Sequence, residues 1–401
     1  MPPSARPPSR SSFSPRLPYD VLHRIVTDAV GEAVKPAERD VARAVSLVCR
    51  DLRDVGQGFL WSTFTLPRRD VHVQLEGQSE KRLSSMIRRL RWEEKEGGYN
   101  DENEWVDPQA DVDVSGAFAL FLSLVLRLDK LIAVDTFDLS GDRLARAMYN
   151  LSSSPSRPFI ASLTLSGDAS NYRPSPSAAL APDELQLVQF LLRFPSLSSF
   201  ASDLGGLAPP PALSVPTSFP SLSLRHLSLG IRHELPADVL TPSSPYHLLL
   251  SVLDPDYLIS LRLCRRTGND GWVRWLGTTT FSHLTSIDIV STYPLLADFF
   301  PLLSHTISRL PTVSHLRLED SRGVGIRSQE CALAFKAFLH TLPPSLHSLD
   351  FVFRGTDIVL EPYLYIAAHP SLRRVLCKVG AHETIFERTE EGWQRRIFEA
   401  Y

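Results

Sequence analysis

Leu258-Ile259-Ser260-Leu261-Arg262-Leu263 places apolar residues at i, i+3 and i+5 with a charged residue between the last two, the alternation of a short strand with one buried face. The same triplet recurs at Ile87/Leu90/Trp92, Val134/Phe137/Leu139, Ile160/Leu163/Leu165, Leu197/Phe200 with Ser202, Leu224/Leu227/Leu229, Leu284/Ile287/Ile289, Val313/Leu316/Leu318, Leu346/Leu349/Phe351 and Leu372/Val375/Cys377. From the second triplet onward the spacing runs from 26 to 37 residues. Helical stretches follow many of them, as at 183–194, 301–310 and 329–342. One such strand and helix cannot bury their own apolar faces, whereas stacked neighbours can. The pattern predicts an α/β solenoid over 116–401 with a parallel sheet on its concave face; a non-repeating α/β domain is the alternative.

A different grammar precedes this array. In Leu17-Pro18-Tyr19-Asp20-Val21-Leu22-His23-Arg24-Ile25, Pro18 suits a first helical turn, Asp20 complements the helix dipole, and Val21, Leu22 and Ile25 share one face. A second helix is expected over 40–55, its stripe formed by Val41, Ala44, Val45, Val48, Cys49 and Leu52, and Phe59-Leu60-Trp61 closes the module. About 45 residues of this kind have too little interior to be stable without a neighbour.

Leu17-Pro18, Leu47-Val48-Cys49-Arg50 and Leu60-Trp61, in this order, resemble the F-box, across residues 17–66. One departure is a long connection over 27–39, containing Gly31 and Pro36. The L-x-x-L-x-L triplets resemble the longer, irregular leucine-rich repeat found behind F-boxes, without its usual Asn or Cys after the last apolar position; Arg232, Arg266, Thr292, Ser321 and Arg354 stand there instead. The resemblance implies a small helical F-box module docking the Skp adaptor of a cullin-RING ubiquitin ligase, through Leu17, Pro18, Leu22, Ile25, Val48, Leu60 and Trp61, with the repeats holding a target protein. A structural alternative is a leucine-rich scaffold whose F-box-like start is only a cap. The expected organisation is a disordered tail over 1–16, the F-box-like domain over 17–66, a connection with the first repeat-like strand and an acidic loop over 67–115, and the solenoid over 116–401.

Function in such an array would lie on outward strand positions. Residues between the last two apolar positions of successive triplets are Ser228, Arg262, Asp288, Arg317, Asp350 and Leu376; the adjacent column is His226, Ser260, Ser286, His315, Ser348 and Arg374. Alternating charge on neighbouring strands fits a self-neutralising ladder that keeps an exposed sheet soluble. It also fits a polar recognition face, for which His226, Arg262, Asp288, His315, Arg317, Asp350 and Arg374 are the candidate target-binding residues.

Composition excludes several classes. A formal charge of −3 over 401 residues does not supply the concentrated basic face of a nucleic-acid binder. Cys49, Cys264, Cys331 and Cys377 are too far apart for structural zinc and read as reduced core residues of an intracellular protein. No phosphate cradle, nucleophile elbow, H-E-x-x-H or dinucleotide motif occurs, so no catalytic residue, metal or cofactor is expected. The longest apolar run, 117–128, is too short to span a bilayer and reads as a core helix, and the Pro/Ser/Arg-rich start lacks the apolar region of a secretory signal. A cytoplasmic or nuclear location follows as an expectation. Residues 93–113 carry nine acidic side chains and one lysine, the pattern of a solvated loop. Ser-Pro steps at Ser154, Ser175 and Ser244 are candidate phosphorylation sites.

Overall fold

Alternate residues of the strands are withdrawn from solvent, as the triplets require: Leu227, Leu229, Leu261, Leu263, Ile287, Leu316, Leu318, Leu349 and Phe351 keep at most 2% of their surface. In the computed structural model the described residues are 62–66, 86–93, 98–99, 105–106, 114–139, 141–167, 183–203, 219–231, 246–265, 271–291, 297–320, 329–353, 369–379 and 382–399. Internal contacts divide the chain into two units, 1–64 with 74–88, and 65–73 with 89–401.

The strands are β1 (Thr63–Leu66), β2 (Arg89–Glu93), β3 (Gly98–Tyr99), β4 (Trp105–Val106), β5 (Ala133–Leu139), β6 (Ser162–Gly167), β7 (Ser199–Asp203), β8 (His226–Ile231), β9 (Ser260–Arg265), β10 (Ser286–Ser291), β11 (His315–Asp320), β12 (Ser348–Phe353), β13 (Arg374–Val379), β14 (His382–Thr389) and β15 (Gly392–Glu399). The helices are α1 (Val114–Arg127), α2 (Gly141–Ser152), α3 (Glu184–Leu191), α4 (His247–Val252), α5 (Gly271–Thr278), α6 (Phe299–Ser308) and α7 (Gln329–His340). Thirteen strands form one unclosed sheet in the order β1-β2-β5-β6-β7-β8-β9-β10-β11-β12-β13-β14-β15. Each neighbouring pair from β2 to β13 is parallel, and chain order equals spatial order. This is the mixed α/β, mostly parallel architecture of a solenoid-like fold.

A repeated hydrogen-bond device fixes where each strand begins. The Arg225 carbonyl accepts from the amides of both Ile259 and Ser260, at 2.8 and 3.0 Å, and the Ile259 carbonyl accepts from Thr285 and Ser286 in the same way. The Thr285, Ser314 and His347 carbonyls continue the series into β11, β12 and β13. Backbone groups at the strand starts are thus satisfied mainly by each other, with the hydroxyls of Ser198, Thr285 and Ser314 donating to the carbonyls of Ala161, Ile259 and Thr285 at 3.2–3.3 Å. The positions three residues past the last apolar residue of the triplets, Arg232, Arg266, Thr292, Ser321 and Arg354, lie outside the described residues.

Helices cover the apolar face. Trp92 of β2 meets Phe118 and Phe121 of α1 with ring centroids 5.1 and 5.9 Å apart, and Phe351 of β12 meets Phe335 of α7 edge-on at 4.9 Å. Adjacent helices also interlock: a Cβ on Gly277 of α5 would stand 3.1 Å from the Thr306 hydroxyl of α6, which donates to the Val273 carbonyl at 3.0 Å. The expected helix over 301–310 begins two residues earlier, at Phe299, where Phe299 and Phe300 are both fully buried and Phe300 packs against Phe335 and Phe338 of the next helix. Asp183 is an N-cap rather than the first helical residue, its side chain accepting from the Gln186 amide at 2.7 Å while Gln186 returns the bond.

Three expectations are corrected. The second triplet is Leu131/Val134/Thr136, not Val134/Phe137/Leu139: β5 pairs Val134 with Leu163 and Thr136 with Leu165, and an irregularity follows Thr136. A polar residue was passed over because its hydroxyl is satisfied inside, donating to the Thr164 carbonyl at 3.1 Å. Second, the acidic stretch 93–113 is not wholly loop, since Gly98–Tyr99 and Trp105–Val106 pair antiparallel. Third, the parallel series ends in an antiparallel hairpin, β13 with β14 and β14 with β15. Arg388 ties this hairpin back, donating to the His369 and Pro370 carbonyls at 3.0 and 2.9 Å. Its turn depends on Gly392, whose φ of +122° is poorly accessible to other residues. Gly392→Ala is expected to destabilise the hairpin by about 1 kcal/mol, read as faster amide exchange confined to 382–399.

Candidate functional site

Helices occupy one face of the sheet, and the opposite face carries the polar alternate positions. Its central column, in strand register, runs Arg91, Asp135, Thr164, Ala201, Ser228, Arg262, Asp288, Arg317, Asp350 and Leu376. The adjacent column includes His226, Ser260, Ser286, His315, Ser348 and Arg374. All seven candidate target-facing residues therefore stand on one face. A third column, containing Cys264, Val290, Glu319, Val352 and Lys378, was not singled out from sequence; it becomes visible once each strand is known to continue two residues past its last leucine.

Charges on this face are paired across and along strands. Arg262 Nε lies 3.5 Å from Asp288 Oδ2, and Arg317 Nε 3.8 Å from Asp288 Oδ1, a Coulombic contact too long for a hydrogen bond. Arg317 Nη2 donates to Glu319 Oε2 at 2.7 Å, and Arg374 Nη1 donates to Asp350 Oδ1 at 2.8 Å. Asp288 is held above its ordinary carboxylate range by burial, which Arg262 and Arg317 partly offset. Burial likewise raises the Cys264 thiol, while Cys377 beside Asp350 is pushed up to about 12 and Cys331 to about 11. Such thiols stay protonated and poorly nucleophilic near neutral pH.

A second charge cluster lies toward the start of the array. Arg89 Nε meets Asp135 Oδ2 at 2.6 Å, the Thr164 hydroxyl donates to Asp135 Oδ1 at 2.8 Å, and the Arg91 guanidinium lies over the Phe137 ring at 4.6 Å. Sequence reading missed this cluster because the misplaced second triplet, Val134/Phe137/Leu139, puts Asp138 rather than Asp135 between its last two apolar positions. The signal was present, since Asp135 falls between Val134 and Thr136 as Arg262 falls between Leu261 and Leu263.

No group of three His, Cys, Asp or Glu side chains among the described residues is placed to hold a metal ion. A cleft of about 280 Å³ near α4 and α5 is lined by His247, Leu250, Trp275 and Thr279 among others; a single imidazole is its only titratable group. Among the described residues, no helix is long and apolar enough to cross a membrane. Ser154 is buried and donates to the Val125 carbonyl at 2.7 Å, which removes it from reach of a kinase; Ser175 and Ser244 lie outside the described residues. The expected adaptor-docking residues Leu17, Pro18, Leu22, Ile25, Val48, Leu60 and Trp61 also lie outside them.

No family model matches this chain, and no curated protein matches it. Among solved structures it is similar to the yeast Rad7 and Elc1 complex, at 13% identity and a TM-score of 0.36, with 88% of this chain and 80% of that chain covered.

Proposed function

We propose that this chain is a non-catalytic substrate receptor of a Skp-cullin-F-box type ubiquitin ligase, in which residues 17–66 dock the Skp adaptor and the open sheet face holds a target protein. The observation that carries the reading is that open face: ten parallel strands, β2 and β5 to β13, present mostly polar and charged side chains, in one-to-one register from β8 to β13. At about 4.8 Å per strand the surface is roughly 45 Å long, enough for a standard protein interface. The chain would contribute proximity, holding a target lysine where a charged conjugating enzyme can reach it, while the covalent chemistry happens elsewhere. A location in cytoplasm or nucleus belongs to the same proposal.

The test is co-purification of the full chain with the Skp adaptor, beside the triple variant Leu17→Ala, Pro18→Ala, Trp61→Ala. Wild type is expected to retain the adaptor, and the triple variant to lose at least about tenfold in affinity while its melting curve stays that of a folded array. A folded wild-type chain that retains no adaptor would overturn the ligase role and leave a scaffold whose first segment is a cap.

A further inference from the structure

The formally balanced charges of the open face are layered in depth. Side chains of Asp288, Glu319 and Asp350 keep 18%, 12% and 12% of their surface, whereas those of Arg262, Arg317 and Arg374 keep 50%, 38% and 37%. Carboxylates sit on short stems close to the sheet and the longer arginines rise over them. What cancels on paper is therefore cationic at the contact layer. Lys378, 40% exposed, stands beside them and is paired with Glu383 of β14 at 3.8 Å, whose side chain keeps 30%.

The three arginines also have a spacing. Arg262 and Arg317 stem from β9 and β11 in the same column, two strands and so about 9–10 Å apart, while Arg374 of β13 stands in the adjacent column, about 12 Å from Arg317 on the diagonal. A polypeptide crossing the strands as a polyproline II helix advances about 3.1 Å per residue with three residues per turn, so every third side chain returns to the same side at about 9 Å, close to the Arg262–Arg317 interval. Such a segment needs no ladder from the sheet, because its backbone is solvated, and guanidinium forks receive carboxylates bidentately.

We propose that the open face over β9 to β13 binds an acidic segment of the target protein, lying across the strands with carboxylates three residues apart. The inference deepens the reading above and rests on its assignment of the open face to the target.

The test uses the full chain and fluorescein-labelled twelve-residue peptides followed by anisotropy. One peptide has Glu at every third position with Pro, Ala and Ser between; a second has the same composition with its Glu residues contiguous; a third replaces Glu by Gln; a fourth by phosphoserine. The spaced acidic peptide is expected to bind at least about tenfold more tightly than the contiguous and Gln peptides, and to weaken as salt rises. Arg262→Gln with Arg317→Gln is expected to reduce its binding about tenfold or more. Equal binding of the contiguous isomer, binding unchanged in the folded double variant, or binding of the phosphoserine peptide alone would each overturn the proposal. The peptide comparison needs only the wild type, so it decides even where the double variant does not fold. Adaptor retention measured on the same preparation separates the two readings: adaptor bound without the spaced peptide removes this inference alone, and the spaced peptide bound without adaptor removes the ligase role alone.

Discussion

Phe300→Ala is expected to lower the stability of the second half of the array by about 3–5 kcal/mol, the range for emptying a buried aromatic site. Phe300 is fully buried on α6 and its ring meets three others, Phe299 at 5.6 Å, Phe335 at 5.1 Å and Phe338 at 6.0 Å. Phe335 in turn meets Phe351 of β12, so one side chain links α6, α7 and the sheet. These neighbours lie on helices held by their own strands and cannot collapse into the vacated volume. Phe300→Leu, which keeps most of that volume, should cost less than half as much. Because a repeat array is stabilised mainly by nearest-neighbour contacts, the loss should also be local. Urea unfolding with amide-exchange readout would check both points: exchange should accelerate across 299–353 and stay near wild type across 133–167. A uniform loss over the sheet would show that the array unfolds as a single cooperative block.

The second large effect concerns pH. Glu184 opens α3 with no exposed surface, and its Oε1 accepts from the Leu249 amide at 2.9 Å in the first turn of α4. That short helix lacks a cap of its own, since Tyr246 at its N-cap makes no side-chain cap bond. Burial pushes the Glu184 carboxyl up to about 7, with the Leu249 and Leu248 amides pulling the other way. A carboxyl whose folded value lies above its unfolded one of 4.5 makes the folded state bind the extra proton between the two. Its contribution is then fully present below about pH 4.5 and is lost as pH rises through about 7. Raising pH from 5 to 8 should accordingly destabilise the protein by about 2–3 kcal/mol through this group. Glu184→Gln keeps the acceptor for Leu249 without the titration, so its stability should be flatter over the same range. Parallel slopes for wild type and Glu184→Gln would remove Glu184 as the cause.

The repeating part of this fold was legible because burial on one face forces apolar residues into a fixed spacing, and that spacing survives changes in loop length. The register of Arg262, Asp288, Arg317 and Asp350 followed directly, since neighbouring parallel strands start at homologous leucines. Sequence reading failed where burial was met by a polar residue, as at Thr136, and where apolar spacing stopped carrying the information. β14 and β15 form an antiparallel pair exposed on much of its surface, so Ile397 and Trp393 give no stripe, and the clue was the turn glycine, Gly392. Layering of charge was invisible for another reason: formal charge counts Arg and Asp equally, while their different lengths decide which one a partner meets.

Connections between strands range widely in length, yet register across the open face stays one residue to one residue from β8 to β13. For heritable variation this separates two kinds of change. An insertion behind a strand leaves every outward residue opposite its former neighbour, and a single substitution such as at Ser228 or Ser286 alters one position of the surface without moving the next. If the open face holds a target as proposed, a lineage carrying this scaffold can therefore alter what it binds by point mutation, one strand at a time.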